Sequence, residues 1–192
     1  MDDAALLGAA AVGDAHAFTV FMRAHQSAVH RYIVALIGSG DDVEDALQET
    51  FINAWRSAGS YAATGSARGW LYAIARNVVR HQLRRRVGEP EHVESLEALA
   101  ERAGWGCLPD TGSDNDANIA RETLQAAMRR LPRDECEVLT LRELDGFSGE
   151  ETARLLDMSL PAMKSRLHRA RVHLAAAVRA LDAIQPGSPA DV

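Results

Sequence analysis

Arginines and lysines that could neutralise phosphate groups are concentrated in two segments of the chain. Residues 68–88 contain six arginines and no acidic residue, and residues 158–181 contain one lysine and four arginines, again without an acidic residue. Grouped cations attract polyanions, because the local field rather than the net charge decides where a polyanion docks. Both segments are therefore candidates for nucleic-acid contact, although basic helices are often only solvated surfaces.

The acidic residues lie elsewhere, so the net charge of −6 hides a strong segregation of charge. Residues 89–118 contain eight acidic residues and one basic residue. Glycines and a proline between residues 104 and 112 prevent a continuous helix there. We interpret residues 89–118 as a flexible acidic linker. It would join a domain at residues 14–88 to a second domain at residues 119–183.

Length and composition exclude several classes of protein. The chain has 192 residues, of which 47% are hydrophobic and 25% charged, and this is a globular composition. No run of 18 apolar residues exists, so no membrane span is predicted. The amino terminus is acidic, and the apolar patch at residues 4–12 lacks the basic flank of a secretory signal, so no such signal is predicted. With only Cys107 and Cys136, no disulfide framework or metal-type spacing is present, and we expect a reducing cytoplasm.

Helical periodicity runs through both domains, and alternation of period two is absent, so the predicted fold is all-α. In the first domain, Asp14 is a plausible N-cap for the first helix, Asp41 or Asp42 for the second, and Ser66 opens the third. In the second domain, helices are predicted near residues 119–130, 133–144, 149–156 and 160–183.

The second domain contains a helix-turn-helix pattern. Ser148 and Glu151 fit a capping box that starts a short helix. A tight turn at residues 157–159 then leads into a long basic helix, which is the arrangement that places a recognition helix in the major groove. On a helical wheel the side opposite the apolar stripe would face base edges, and the flanking cations would hold phosphates. The candidate duplex contacts are Lys164, Ser165, Arg166, His168, Arg169 and Arg171.

The third helix of the first domain offers a second nucleic-acid surface. Arg68, Tyr72, Arg76, Arg80 and Arg84 recur every four residues, which predicts a basic stripe with an aromatic ring that could stack on a base. Asn77 lies near this face. The preceding loop, residues 59–65, has small side chains that leave room for an unstacked base. Alternatively, Tyr61 only plugs the core.

The second helix presents a different surface. Asp45, Gln48, Glu49 and Asn53 form a polar, acidic ridge opposite Leu47 and Phe51. A duplex would be repelled by this ridge, whereas a basic protein surface would be attracted to it. A plain solvated face is the alternative interpretation.

Five segments together resemble bacterial sigma factors of the extracytoplasmic-function group in the sigma-70 family. They read DVEDALQETF at residues 42–51, WLYAIARN at 70–77, LP at 131–132, LRELDGFS at 141–148 and KSRLHRAR at 164–171. The resemblance covers about residues 14–87 and 119–181. The motifs occur in the right order, which makes the resemblance specific.

The resemblance implies a protein without catalytic activity or cofactor that binds core RNA polymerase and directs it to promoter DNA. The first domain would melt and read the minus-ten element, using Tyr61, Ala62, Thr64, Arg76, Asn77 and Arg80. The second domain would read the minus-thirty-five duplex with the six residues named above. The ridge of Asp45, Gln48, Glu49 and Asn53 would dock on the largest polymerase subunit. The family is usually held inactive by an anti-sigma factor.

Two other classes of function remain as alternatives. A conventional DNA-binding regulator would carry a sensor domain, with a ligand pocket or a phosphoacceptor aspartate on a strand, and would bind duplex tightly without polymerase. An enzyme would need a constellation that the sequence lacks, since it has no HExxH pair, no glycine-rich phosphate loop and no Gly-x-Ser-x-Gly elbow.

Overall fold

The computed structural model describes residues 2–38, 40–61, 65–86 and 115–182. These ranges contain helices and turns and no strand, as the periodicity predicted. The helices form two compact units. Unit 1 contains α1 (Asp3–Ala11), α2 (Ala15–Ile37), α3 (Asp41–Ser57), a short 3-10 turn (Ala58–Ser60) and α4 (Ala67–Arg86). Unit 2 contains α5 (Asn115–Arg129), α6 (Arg133–Leu139), a wider π-type turn (Thr140–Leu144), α7 (Gly149–Leu155) and α8 (Leu160–Asp182).

Helix α1 was not predicted from the sequence, and it belongs to the core of unit 1. Leu6, Leu7 and Ala10 are buried, and the Asp3 carboxylate lies 2.8 Å from Nε2 of His25 on α2. The helix is apolar on nearly every side, so it lacks the polar stripe that makes a helix periodic in sequence. Burial against the rest of the unit, rather than amphipathic patterning, therefore fixes α1 in place.

The start of α2 follows the prediction and the start of α3 does not. The Asp14 side chain accepts hydrogen bonds from the backbone N–H groups of His16 and Ala17, at 2.9 and 3.0 Å, and so caps α2. Helix α3 has Gly40 at its N-cap, with φ of 135°, and Asp41 is already its first helical residue. The glycine permits a positive φ that an aspartate would adopt only with strain.

Tyr72 was wrongly assigned to the basic face of α4. Its side chain is 1% exposed, and its ring centroid lies 5.0 Å from that of Tyr32 on α2. The buried side of α4 is wider than a single stripe, because Leu71, Ala75 and Val79 are buried beside it. Spacing by four residues therefore placed Tyr72 near the arginines in sequence, while packing against α2 places its ring in the core.

Unit 2 has the local geometry of a helix-turn-helix. The predicted capping box is confirmed, since Ser148 and Glu151 exchange hydrogen bonds of 2.8 and 3.2 Å between side chain and backbone. The Ser159 hydroxyl caps α8 by accepting from the Ala162 N–H at 3.3 Å. In the turn between them, Asp157 has φ of 55°, the only positive φ among the described non-glycine residues.

The hydrophobic core of unit 2 joins α6, the π-type turn and α8. Phe147, Leu141 and Val138 are fully buried, and so are Met163 and Ala170 of α8, the helix that packs against α6. Cys136 is buried as a small apolar residue, and loss of solvation raises the pKa of its thiol to about 11. This core holds α8 with one side inward, so the orientation of its outer side is set.

Candidate nucleic-acid and partner interfaces

The outer side of α8 presents the side chains that the helical wheel predicted. Met163, Leu167 and Ala170 are buried. Ser165 and His168 are exposed on the other side of the helix. A helix fixed along one edge with polar and basic groups on its free edge has the geometry of a major-groove reader.

Two of the predicted cations on α8 are held by carboxylates of the α6 segment, by which we mean α6 together with the π-type turn that follows it, residues 133–144. Nε of Arg166 lies 3.3 Å from Oδ2 of Asp134. Nη2 of Arg171 donates to Oε1 of Glu143 at 2.5 Å. The sequence analysis did not foresee these pairs, because the partners are 28 or more residues apart and no local spacing links them. Lys164 and Arg169 are exposed and make no ion pair within the described part of unit 2.

A third contact joins the same two elements near the end of the recognition surface. Nδ1 of His173 lies 2.6 Å from Oε2 of Glu135, whose side chain is buried. The α6 segment thus meets α8 through three acid–base pairs, and two of them involve predicted DNA contacts.

Helix α4 carries its basic groups on an exposed side. Asn77 and Arg80 are exposed, as are Arg84 and Arg85 beyond them, whereas Arg76 is half-buried. This side of α4 contains cations but no acidic residue. The exposed Arg80, Arg84 and Arg85 can therefore follow a phosphate backbone.

The loop before α4 has a defined anchor at Tyr61. The Tyr61 hydroxyl donates to the Gly65 carbonyl oxygen at 2.6 Å, and its ring centroid lies 5.6 Å from that of Trp70. Tyr61 is half-buried, so its side chain is neither fully in the core nor fully exposed to solvent. The predicted contacts Ala62 and Thr64 lie outside the described residues.

An open cleft of about 350 Å³ adjoins this loop. Its lining includes Tyr61, Ser66 and Arg68 from the loop and α4, together with Asp2 and Asp3 from the start of α1. The two aspartates were missed by sequence reasoning, because only the packing of α1 brings them beside the loop. Their charge would oppose a phosphate at this edge of the cleft.

The ridge on α3 is exposed and is less polar than the sequence suggested. Asp45, Gln48 and Glu49 are exposed, and Asn53 is half-buried. Ile52 follows them at the next helical step with 41% of its surface exposed. Ile52 gives the ridge an apolar contact area beside its polar groups. The i, i+3, i+4, i+7 series from Asp45 could have identified Ile52 in the sequence.

Within the described residues, no helix has the length and apolar character needed to cross a membrane. The same ranges bring together no group of three or more histidine, cysteine, aspartate or glutamate side chains that could hold a metal ion.

Comparison with known proteins assigns a family to each of the two units. Sigma-70 region 2 matches residues 21–88, and Sigma-70 region 4 matches residues 121–174. The ECF RNA polymerase sigma-E factor of Escherichia coli K12 is 34% identical over 164 residues, which cover 83% of this chain and 85% of that protein. These matches define a class, the two-region helical transcription factors of the sigma-70 type. The chain belongs to the ECF RNA polymerase sigma factors, and the resemblance predicted from its motifs is confirmed.

Two solved structures share the fold. CnrH, in complex with the cytosolic domain of CnrY, has a TM-score of 0.65 and 27% identity, with 93% of this chain and 97% of that chain covered. The sigma factor RpoE of Bartonella quintana, in complex with the anti-sigma factor NepR, has a TM-score of 0.68 and 24% identity. Its match covers 84% of this chain and 96% of that chain.

Proposed function

We propose that this chain is an alternative sigma factor that binds core RNA polymerase and directs promoter-specific initiation, under the control of an anti-sigma factor. The observation that carries the proposal is the presence of three separate exposed surfaces in a chain that contains both sigma-70 regions in order. One surface is acidic and two are basic. A factor that must hold a protein and two stretches of DNA needs such separate surfaces.

In unit 2, α8 reads the minus-thirty-five duplex. Ser165, His168 and Arg169 face the base edges, and Lys164 contacts phosphate. An arginine on guanine makes a bidentate contact that provides about 1–3 kcal/mol of discrimination. Arg166 and Arg171 lie at the margins of the same helix, where their ion pairs with Asp134 and Glu143 limit what they can offer to DNA.

In unit 1, α4 and the loop before it hold the minus-ten element as exposed strand. Unstacking a base costs a few kcal/mol, and stacking on an aromatic ring together with phosphate contacts offsets such a cost. Tyr61, Ala62 and Thr64 form the base-binding loop. Asn77 contacts a neighbouring base, while Arg76 and Arg80 follow the backbone.

The α3 ridge of Asp45, Gln48, Glu49 and Asn53 docks on a basic surface of the polymerase. Exposed Ile52 adds apolar contact area at its centre. The carboxylates steer the encounter, because complementary charges raise association rates more than they raise affinity.

The domain division at residues 14–88, 89–118 and 119–183 is part of this proposal, with α1 packing against the first domain. An anti-sigma factor would cover the polymerase-binding surfaces. CnrH, which shares the fold over nearly the whole chain, is bound to the cytosolic domain of another protein, and this supports control by a bound partner. The site of action is the cytoplasm, and the protein needs no catalytic residue or cofactor of its own.

Transcription in vitro with purified core polymerase tests the proposal. Genomic fragments should yield run-off transcripts that require both the chain and the polymerase, with discrete start sites. Polymerase alone is the control. Absence of core binding and of specific transcripts would overturn the proposal. Tight, sequence-specific binding to duplex DNA without polymerase would favour the conventional regulator instead.

A further inference from the structure

The ion pair between Glu143 and Arg171 has a property that duplex reading alone does not require. Both side chains are exposed, at 44% and 56%, yet they meet at 2.5 Å across two elements. Glu143 is in the π-type turn after α6, and Arg171 is on the recognition helix α8. An acidic group is therefore placed beside the surface that is to approach a polyanion.

The electrostatic consequence follows from the charge of the pair. A free arginine that contacts a DNA phosphate displaces a counterion. Each such contact steepens the slope of log binding constant against log salt concentration by about 0.9. An arginine that is neutralised by a carboxylate at hydrogen-bond distance contributes much less to this salt dependence. Within the described part of unit 2, Lys164 and Arg169 on the same helix have no such carboxylate.

We propose that Glu143 is a specificity-determining positioning residue that neutralises and orients Arg171, and so suppresses sequence-independent attraction of unit 2 to DNA. This inference rests on the proposed function, since it takes α8 as the duplex reader. Discrimination between sites depends on the ratio of specific to random binding. A weaker attraction to phosphates lowers the affinity for random DNA, and this raises that ratio without any new base contact.

The test uses the full chain and a fluorescent random-sequence duplex of about 30 base pairs, titrated between about 50 and 200 mM KCl. The substitution Glu143→Gln keeps an amide oxygen that can accept from Arg171 and removes only the charge. The slope of log affinity against log salt should steepen by about one. Between the lowest and the highest salt, the variant should therefore lose about threefold more affinity than the native chain loses. Glu122→Gln, at an exposed glutamate on α5, makes the same change of net charge and should leave the slope unchanged.

Arg171→Ala identifies the cation involved. In the Glu143→Gln background it should restore the native slope, because it removes the cation that the loss of the Glu143 charge had freed. Equal slopes for Glu143→Gln and Glu122→Gln would overturn the proposal. A slope that stays steepened in the Glu143→Gln/Arg171→Ala double variant would also overturn it.

Lys164→Ala, which removes the exposed cation assigned to phosphate, separates this inference from the function on which it rests. If α8 faces the duplex, this substitution lowers the slope by about one in every background. Failure of that effect contradicts the placement of α8 on DNA. Success of that effect, combined with an unchanged slope for Glu143→Gln, contradicts only the role of Glu143.

Discussion

The two basic helices, α4 in unit 1 and α8 in unit 2, differ in where their counter-charges lie. The exposed arginines 80, 84 and 85 of α4 have no carboxylate partner in the described part of unit 1, and the acidic ridge of that unit is on a different helix, α3. In unit 2, carboxylates of the α6 segment pair directly with Arg166 and Arg171 of α8.

The difference indicates two ways to use positive charge. Separated charges in unit 1 leave one side for a nucleic acid and another for a protein, so each partner meets a surface of opposite sign. Paired charges in unit 2 reduce general attraction and leave recognition to a few side chains. This difference agrees with the roles proposed above, in which unit 1 holds a strand and a partner together and unit 2 chooses among duplex sequences.

Reversal of the acidic ridge provides the largest expected effect. Asp45→Arg combined with Glu49→Arg places like charges against a basic partner, which costs several kcal/mol. Affinity for core polymerase, measured by fluorescence anisotropy, should fall by about a hundredfold or more. Gln26→Arg with Ser27→Arg, at exposed positions on α2, is the control and should leave core binding within about twofold. An unchanged affinity for the ridge variant would remove α3 from the polymerase interface.

The next largest effect concerns sequence choice by unit 2. Arg169→Ala should lower transcription from promoters that depend on the upstream element by about tenfold, because a bidentate base contact contributes about 1–3 kcal/mol. Core binding should stay unchanged. Arg179→Ala removes an exposed cation near the end of the same helix and serves as the control. If both variants reduce transcription equally, Arg169 acts through general charge and not through base reading.

Removal of the helix caps tests whether the two units are energetically separate. Asp14→Ala should lower the stability of unit 1, and Ser148→Ala that of unit 2, each by about 1 kcal/mol in urea unfolding. Each substitution should move one transition and leave the other in place. Ser148→Thr keeps a capping hydroxyl and should retain most of the stability of unit 2. A shift of both transitions by either alanine variant would contradict independent units.

The smallest effect is a pH dependence confined to unit 2. Burial raises the pKa of the Cys136 thiol from 9.0 to about 11, so the unfolded thiol ionises first as the pH rises. Its contribution to stability is complete below about pH 9 and is lost as the pH approaches 11. Between about pH 8 and 9.5, unit 2 should lose less than about 1 kcal/mol of stability. Cys136→Ala should remove this difference, and an identical pH dependence in the variant would show that other groups cause it.

Sequence patterns predicted the structure best where a feature depends on residues that are close together in the chain. The capping box of Ser148 and Glu151 depends on residues three apart, so it could be predicted from sequence alone. The same holds for the buried edge of α8, because its apolar residues recur at helical spacing. The family motifs, because they occur in a fixed order, also predicted the order of the two sigma-70 regions along the chain.

Features that depend on packing between distant segments could not be predicted. Tyr72 looks like part of an arginine stripe until α2 covers it. Helix α1 lacks a polar side, and so it gives no periodic signal. The ion pairs of Arg166 and Arg171 join residues far apart in sequence. Residue-level DNA and polymerase contacts stay predictions, including those at Ala62 and Thr64.

The position of α1 has a practical consequence for handling the protein. Its first residues line the cleft beside Tyr61 and Arg68, so an affinity tag fused ahead of Asp2 would emerge next to the loop proposed to accept a base. If that loop holds a base, such a fusion would obstruct promoter opening. Purification handles and fluorescent labels for open-complex assays therefore belong at the carboxyl end of the chain.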